Sequence, residues 1–353
     1  MTKSLLEETI AKIGPLDETA QSRARARQDR LTKPQGSLGR LEDLGVQVAA
    51  ITGQIRPVIE EKLAFTFCGD HGVVAEGVSA YPAEVTPQMV FNFSAGGAAI
   101  SALSRWAGAK TVVVDIGVAA PLDNCDNILH RKVRTGTDNI AHGPAMSAGE
   151  AVAALETGIR VFQERWGGRP ALVALGEMGI ANTTSASAIT SVMTARPPAE
   201  VTGRGTGVVD DRLAHKIKIV QQALEVNRPN PKDGLDVLAK VGGMEIGGMA
   251  GTMLAAAASR VPIIIDGFIC GAAALIADAL QPRCRDYMIA GHCSMEPGHR
   301  ILLSHLNLTP ILDLNMRLGE GSGAVLAMPI VEAACRILAE MATFEDAGVS
   351  EKL

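Results

Sequence analysis

From residue 63 onward the chain alternates between short stretches in which nearly every position is apolar and longer stretches of small or amphipathic residues. The apolar stretches read LAFTFCGDHG, TVVVDIG, ALVALGEMG, VPIIIDGF and DYMIAGHCS. Strands apolar throughout, separated by helix-forming sequence, predict an α/β fold with a parallel sheet covered by helices on both faces. Each stretch ends in glycine and a polar or acidic residue: Asp70 with His71, Asp115, Glu177, Asp266, and His292 with Ser294. An open parallel sheet takes its ligand at the carboxyl ends of its strands, so these groups are expected to converge on one site.

The first 60 residues are patterned as helix. SLLEETIAKI carries Ser4 and Glu7 at the spacing of a capping box, and LDETAQSRARARQDRL is rich in helix formers. Gly36 and Gly39 interrupt before RLEDLGVQVAAITGQ resumes. After residue 324, AVLAMPIVEAACRILAEMATF returns to helix, with Pro329 tolerable only near its first turn or as a kink. The chain ends are expected to pack together as a small helical domain, residues 1–60 with 330–353, beside a parallel α/β domain over 61–329.

Composition narrows the function classes. The chain has 353 residues, 47% hydrophobic, ample for a core without covalent staples. Lys plus Arg number 33 against 38 Asp plus Glu, and 3% of residues are aromatic, so neither a phosphate-tracking basic stripe nor a base-stacking platform is present. Nucleic acid is excluded as a partner on that ground. The six cysteines are scattered without a CxxC pair, which fits reduced thiols in a reducing compartment. Glu7 and Glu8 stand where a secretion signal needs an apolar run, and a cytoplasmic protein is expected. The oiliest segments are broken by Arg260, Asp266 and Asp278, and by Glu332 and Arg336, so no membrane span is expected.

Three segments carry candidate chemistry. VTGRGTGVVDDRLAHKIKIV (201–220) places glycines at alternate positions ahead of a helix and Lys216, either a phosphate cradle or a surface loop. GEMGIANTTSASAI (176–189) offers Asn182, Thr183 and Thr184 where a strand turns into a helix. GHCSMEPGHR (291–300) holds His292, Cys293, Glu296 and His299, but Pro297 and Gly298 make it a turn, and the spacing fits no helical zinc pair. Asp70 and His71 read equally as an acid–base pair or a structural hydrogen-bonded pair. Glu320, caged by Gly319 and Gly321 with no cation adjacent, reads either as a carboxylate with a raised pKa suited to proton abstraction or as a helix N-terminal acid.

Together, KPQGSLGRLEDLG (33–45), GDHGVVAEGVSAYPAEVTPQMVFNF (69–93), GEMGIANTT (176–184), GRGTGV (203–208), DGFICGAAAL (266–275), GHCSMEPGH (291–299) and LDLNMRLGEGSGA (312–324) resemble the CobT family of nicotinate-nucleotide–dimethylbenzimidazole phosphoribosyltransferases. The similarity runs in unbroken order from about residue 30 to the C-terminus. The family tends to have glycine where Ala181 stands, and a methyl group there is harmless only if φ stays negative.

The resemblance implies a Rossmann-like parallel α/β domain, a homodimer, and no metal or cofactor. It implies transfer of phosphoribose from nicotinate mononucleotide to 5,6-dimethylbenzimidazole, with inversion, giving α-ribazole 5′-phosphate and nicotinate for the cobalamin lower ligand. Glu320 matches the catalytic base and Glu177 the second site acid. Gly179, Asn182, Thr183, Gly203, Arg204, Gly205, Thr206, Gly207, Lys216 and Ser294 would hold phosphate and ribose. Ser79, Tyr81, Gln88, Met89 and Leu318 would line the benzimidazole pocket. The rivals are a metal-dependent hydrolase of a sugar phosphate, built on His71, His292, Cys293 and His299, and a non-catalytic nucleotide-binding module.

Overall fold

The computed structural model describes residues 3–205, 207 and 210–350. Six strands, β1 (Glu61–Gly69), β2 (Lys110–Gly117), β3 (Leu129–His130), β4 (Ala171–Met178), β5 (Ile263–Ile265) and β6 (Met288–Ala290), form one all-parallel sheet in the order β3-β2-β1-β4-β5-β6. The apolar pattern predicts five of them. β3, two residues long, carries no pattern to announce it. β5 is shorter than its apolar stretch because Pro262 has no amide to give the ladder and the chain turns at Asp266 into helix Phe268–Leu280.

Alternation along each strand divides the interior into two cores. Leu63, Phe65 and Phe67 of β1, with Val173 and Leu175 of β4, face helices Ala148–Arg165, Met244–Ala258 and Phe268–Leu280. Ala64 and Cys68, with Leu172 and Ala174, face helices Arg40–Thr52, Ala99–Ala107 and Ser322–Glu340. Both faces of the sheet are therefore covered, as continuous apolar strands require.

The chain ends meet. Ser4 and Glu7 form the predicted capping box on helix Leu5–Ala11. Arg27, in helix Glu18–Asp29, donates to the carbonyls of Leu338 (2.7 Å) and Met341 (2.9 Å), placing a cation on the C-terminus of helix Ser322–Glu340. Ala24, Val46, Ala49 and Leu338 close a small core there. Helix Ser322–Glu340 is continuous through residue 330, with Pro329 well inside it rather than in its first turn.

Glu332 and Arg336 do not keep that helix below the composition of a membrane span: it has 19 residues and a mean hydropathy of 1.5. Its apolar side is spent inside the fold, where Ala324, Val325, Ala327, Met328 and Val331 are fully buried against the sheet and its neighbours.

Strand order reverses between β1 and β4, and that switch point opens a crevice beyond their carboxyl ends. Register pairs Phe67 with Glu177, so Glu177 emerges beside the end of β1. Gly69 and Gly179 are in close contact there: a Cβ on Gly179 would collide with the Gly69 carbonyl.

Candidate active site

The residues expected at the sheet's edge come together in part. Glu177, Gly179, Asn182, Thr183, Gly205, Ser294 and Leu318 line one narrow cleft of about 70 Å³. Gly203, Arg204 and Gly207 line an adjoining cavity of about 470 Å³, separated from the first by Glu296 and Arg317, which border both. Thr206 lies outside the described residues. Ser79, Tyr81, Gln88 and Met89 line neither: Met89 packs against the second core, Ser79 accepts the Tyr81 amide at 3.2 Å, and Tyr81 is exposed.

Glu177 is the acid at the floor. Burial, then the carboxylates of Glu245 and Asp266, push its pKa up to about 8, against the pull of a hydrogen bond from the Asn182 side-chain amide. Asn182 thus gives a donor to Glu177. It opens helix Asn182–Thr194, and the residue before it, Ala181, has φ +74°. The condition under which a methyl group is harmless at 181 is not met, so this alanine sits in a conformation that favours glycine.

Lys216, on helix Asp210–Asn227, is 1% exposed and donates to Thr183 Oγ1 at 2.7 Å. Burial draws its ammonium down to about 8, with Glu296 pulling the other way. Glu296 Oε1 accepts the Gly205 amide at 2.8 Å, while its buried Oε2 has no hydrogen-bond partner among the described residues. Arg317 Nη1 donates to the Gly205 carbonyl at 3.2 Å. A buried lysine and an arginine make this corner suited to an anion.

Glu320 occupies an elbow of three consecutive left-handed residues: Gly319 at φ +87°, Glu320 at +63° and Gly321 at +93°. The elbow lies directly on β4, because a Cβ on Gly176 would overlap the Glu320–Gly321 peptide. The Glu320 side chain is 4% exposed, and its Oε2 accepts the Ile100 amide at 3.1 Å. Helix Ala99–Ala107 begins at Ala98, whose side chain cannot cap, so Glu320 fills that place. Burial raises its pKa, the Ile100 bond opposes, and Asp266 adds to the rise. Glu320 thus combines a raised pKa with the place of a helix N-terminal acid, although the helix it serves is not its own.

His71 and His299 are engaged in bonds of their own, while His292 lines the cleft. His71, fully buried, bonds Glu245 Oε1 at 2.6 Å and Ser185 Oγ at 3.1 Å rather than Asp70, whose Oδ2 accepts the Ala119 amide at 2.8 Å. Burial opposes its charging, but Glu245 outweighs that and raises its pKa. His299 Nδ1 accepts the Ser294 amide at 2.8 Å, and burial drives its pKa down to about 3. Among the described residues no group of three or more His, Cys, Asp or Glu side chains is disposed to hold a metal ion.

A family model described as phosphoribosyltransferase matches residues 13–349. The chain belongs to this family. It is 58% identical over 98% of both chains to the nicotinate-nucleotide–dimethylbenzimidazole phosphoribosyltransferase of Desulforudis audaxviator, and 58% identical over 99% of both to that of Chloroflexus aggregans. The crystal structure of CobT from Thermus thermophilus superposes with a TM-score of 0.91 at 46% identity, covering 95% of this chain and all of that one.

Three features of this phosphoribosyltransferase escape the motif reading. Glu245 is a buried acid in the first turn of an otherwise apolar helix, a signal visible in MEIGGMAGTM. Arg317 is adjacent in sequence to Leu318 and reaches the glycine loop. Glu296, in a segment expected as a polar loop lining the site, lines the cleft and accepts a loop amide, a bond that its spacing does not encode.

Proposed function

We propose that the chain transfers the phosphoribosyl group of nicotinate mononucleotide to 5,6-dimethylbenzimidazole, giving α-ribazole 5′-phosphate and nicotinate, with inversion at the anomeric carbon, for the cobalamin lower ligand. The observation that carries this reading is a pair of buried carboxyl groups with raised pKa, Glu320 and Glu177, at one sheet edge beside a buried Lys216. Full-length likeness to relatives bearing that name supports the substrates.

The chemistry follows from charge. One benzimidazole nitrogen attacks the anomeric carbon through its lone pair while the other loses its proton, and Glu320 as carboxylate accepts that proton. General-base help of this kind is worth about 10²–10⁴-fold. The carbon–nitrogen bond to nicotinate breaks with its electron pair going to the pyridinium nitrogen, which leaves without needing a proton. Positive charge builds on the ribose, and Glu177 faces it. Burial and the neighbouring carboxylates favour the protonated form of Glu177; a bound pyridinium ring favours its ionisation. Lys216, Thr183, Ser294 and the loop of Gly203, Gly205 and Gly207 hold the phosphate, with Gly179, Asn182 and Arg204 beside them. Ser79, Tyr81, Gln88, Met89 and Leu318 wall the benzimidazole.

The protein acts as a cytoplasmic homodimer in this reading. Six free, buried cysteines fit a reducing compartment.

The test is to incubate the purified chain with both substrates and follow nicotinate and α-ribazole 5′-phosphate by chromatography, with and without a chelator. Chelator-resistant formation of both, dependent on the benzimidazole, is expected. Absence of nicotinate release would overturn the transferase reading, and loss of activity to the chelator would restore the hydrolytic rival.

A further inference from the structure

We infer that Asp266, which lines neither cavity, is the positioning residue that holds Glu320 in its working orientation, and that His292 links this support to the nucleotide cleft. The inference rests on Glu320 acting as the base.

The elbow around Glu320 needs external support, because a non-glycine residue at φ +63° persists only where its surroundings fix it. Helix Ser322–Glu340 starts at Gly321, which has no side chain to satisfy the first free amides. Asp266 supplies the acceptors from the end of β5. Its Oδ2 takes the Gly321 amide at 3.2 Å, and its Oδ1 takes those of Gly323 at 2.7 Å and Ala324 at 3.0 Å. The amide of Gly321 belongs to the peptide plane that leaves Glu320, so fixing it fixes ψ at Glu320. The other restraints on the elbow are neutral: Thr66 Oγ1 donates to the Glu320 carbonyl at 3.0 Å, and Ser322 Oγ to the Gly319 carbonyl at 2.7 Å. Amide bonds to a carboxylate at a helix N-terminus are the stronger kind.

His292 Nε2 lies 3.5 Å from Asp266 Oδ1, and the ring lines the cleft that holds Glu177. A Cβ on Gly323 would overlap that ring, so the helix start, Asp266 and His292 are packed as one block. Occupancy of the cleft is thereby coupled to the elbow through a single carboxyl group.

Asp266 also acts on Glu320 through its charge. The groups facing Glu320 are the Ile100 amide from helix Ala99–Ala107, Asp266 from the end of β5 and Glu177 from the end of β4. Removing the Asp266 charge removes one of the influences that raise the Glu320 pKa.

The experiment measures kcat, KM and the pH profile of kcat for Asp266→Asn, alone and combined with Glu320→Gln. Asp266→Asn is expected to lower kcat about 10- to 100-fold with KM for nicotinate mononucleotide changed less than about threefold. The acid limb, which rises as Glu320 deprotonates, should move to lower pH. In the Glu320→Gln background the same change should leave kcat where it was. A merely structural role would lower the melting temperature without moving the acid limb, and would overturn the inference. Should Asp266→Asn fail to fold, Asp266→Ser is read in the same way. A fully active Glu320→Gln sinks the base reading itself, whereas an impaired Glu320→Gln beside an unimpaired Asp266→Asn sinks this inference alone.

Discussion

Glu320 Oε2 accepts the amide of Ile100 at 3.1 Å across 220 residues of sequence. That bond orients the carboxyl group and leaves its Oε1 without a partner among the described residues, the oxygen a benzimidazole N–H would meet. Glu320→Gln keeps the bond to Ile100 and removes the basicity. It should lower kcat by about 10²–10⁴-fold while nicotinate mononucleotide still binds, as calorimetry can show. Turnover within tenfold of the parent would rule out Glu320 as the base.

Glu177 ties stability to pH. Its folded pKa, about 8, lies above the ordinary 4.5, so its contribution to folding is complete below the lower value and lost as pH rises through the upper. Glu177→Gln resembles the protonated acid at every pH. Melting curves should show the variant matching the parent near pH 4.5 and gaining on it progressively towards pH 8, even though it is catalytically impaired. A constant offset across that range would contradict the burial argument.

Lys216 sets a basic limit. Its ammonium, drawn down to about 8 by burial, loses its charge just above neutrality. For the nucleotide, kcat/KM should fall above about pH 8. Lys216→Ala should raise KM for nicotinate mononucleotide about 10- to 100-fold, the worth of a hydrogen bond to a charged group, and flatten that limb. An effect confined to the benzimidazole would contradict the phosphate role.

Ala181 is held at φ +74° with a methyl group that the conformation disfavours. Ala181→Gly relieves about 1–2 kcal/mol of backbone strain and gives back about 0.4–1 kcal/mol through the freer unfolded chain. Urea denaturation should report a net stabilisation of roughly 0.5–1 kcal/mol. Ala181→Val should destabilise, since a β-branched residue tolerates positive φ worse.

The sequence makes the sheet legible because β1, β2 and β4 are buried on both sides over most of their length and so carry continuous apolar runs. β3 is invisible for the opposite reason: two residues pairing at an edge, Leu129 and His130, impose no pattern. Glu177, Asp266 and His292 are legible as polar residues just past apolar runs. What they bond is not, because Asp266 meets Gly321 and His71 meets Glu245 through contacts that no local spacing encodes. The left-handed backbone at Ala181 and Glu320 is hidden for the same reason, since both are residue types that ordinarily keep φ negative.

Arg27 closing on the carbonyls of Leu338 and Met341 has a consequence for biosynthesis. The first helices leave the ribosome hundreds of residues before the helix that completes them, and must wait with apolar surface at Ala24, Val46 and Ala49 uncovered. That late helix carries the Glu320 elbow at its start. A nascent chain has therefore emitted all six strands before the Glu320 elbow is in place, and the same closing event shields the waiting surface from aggregation.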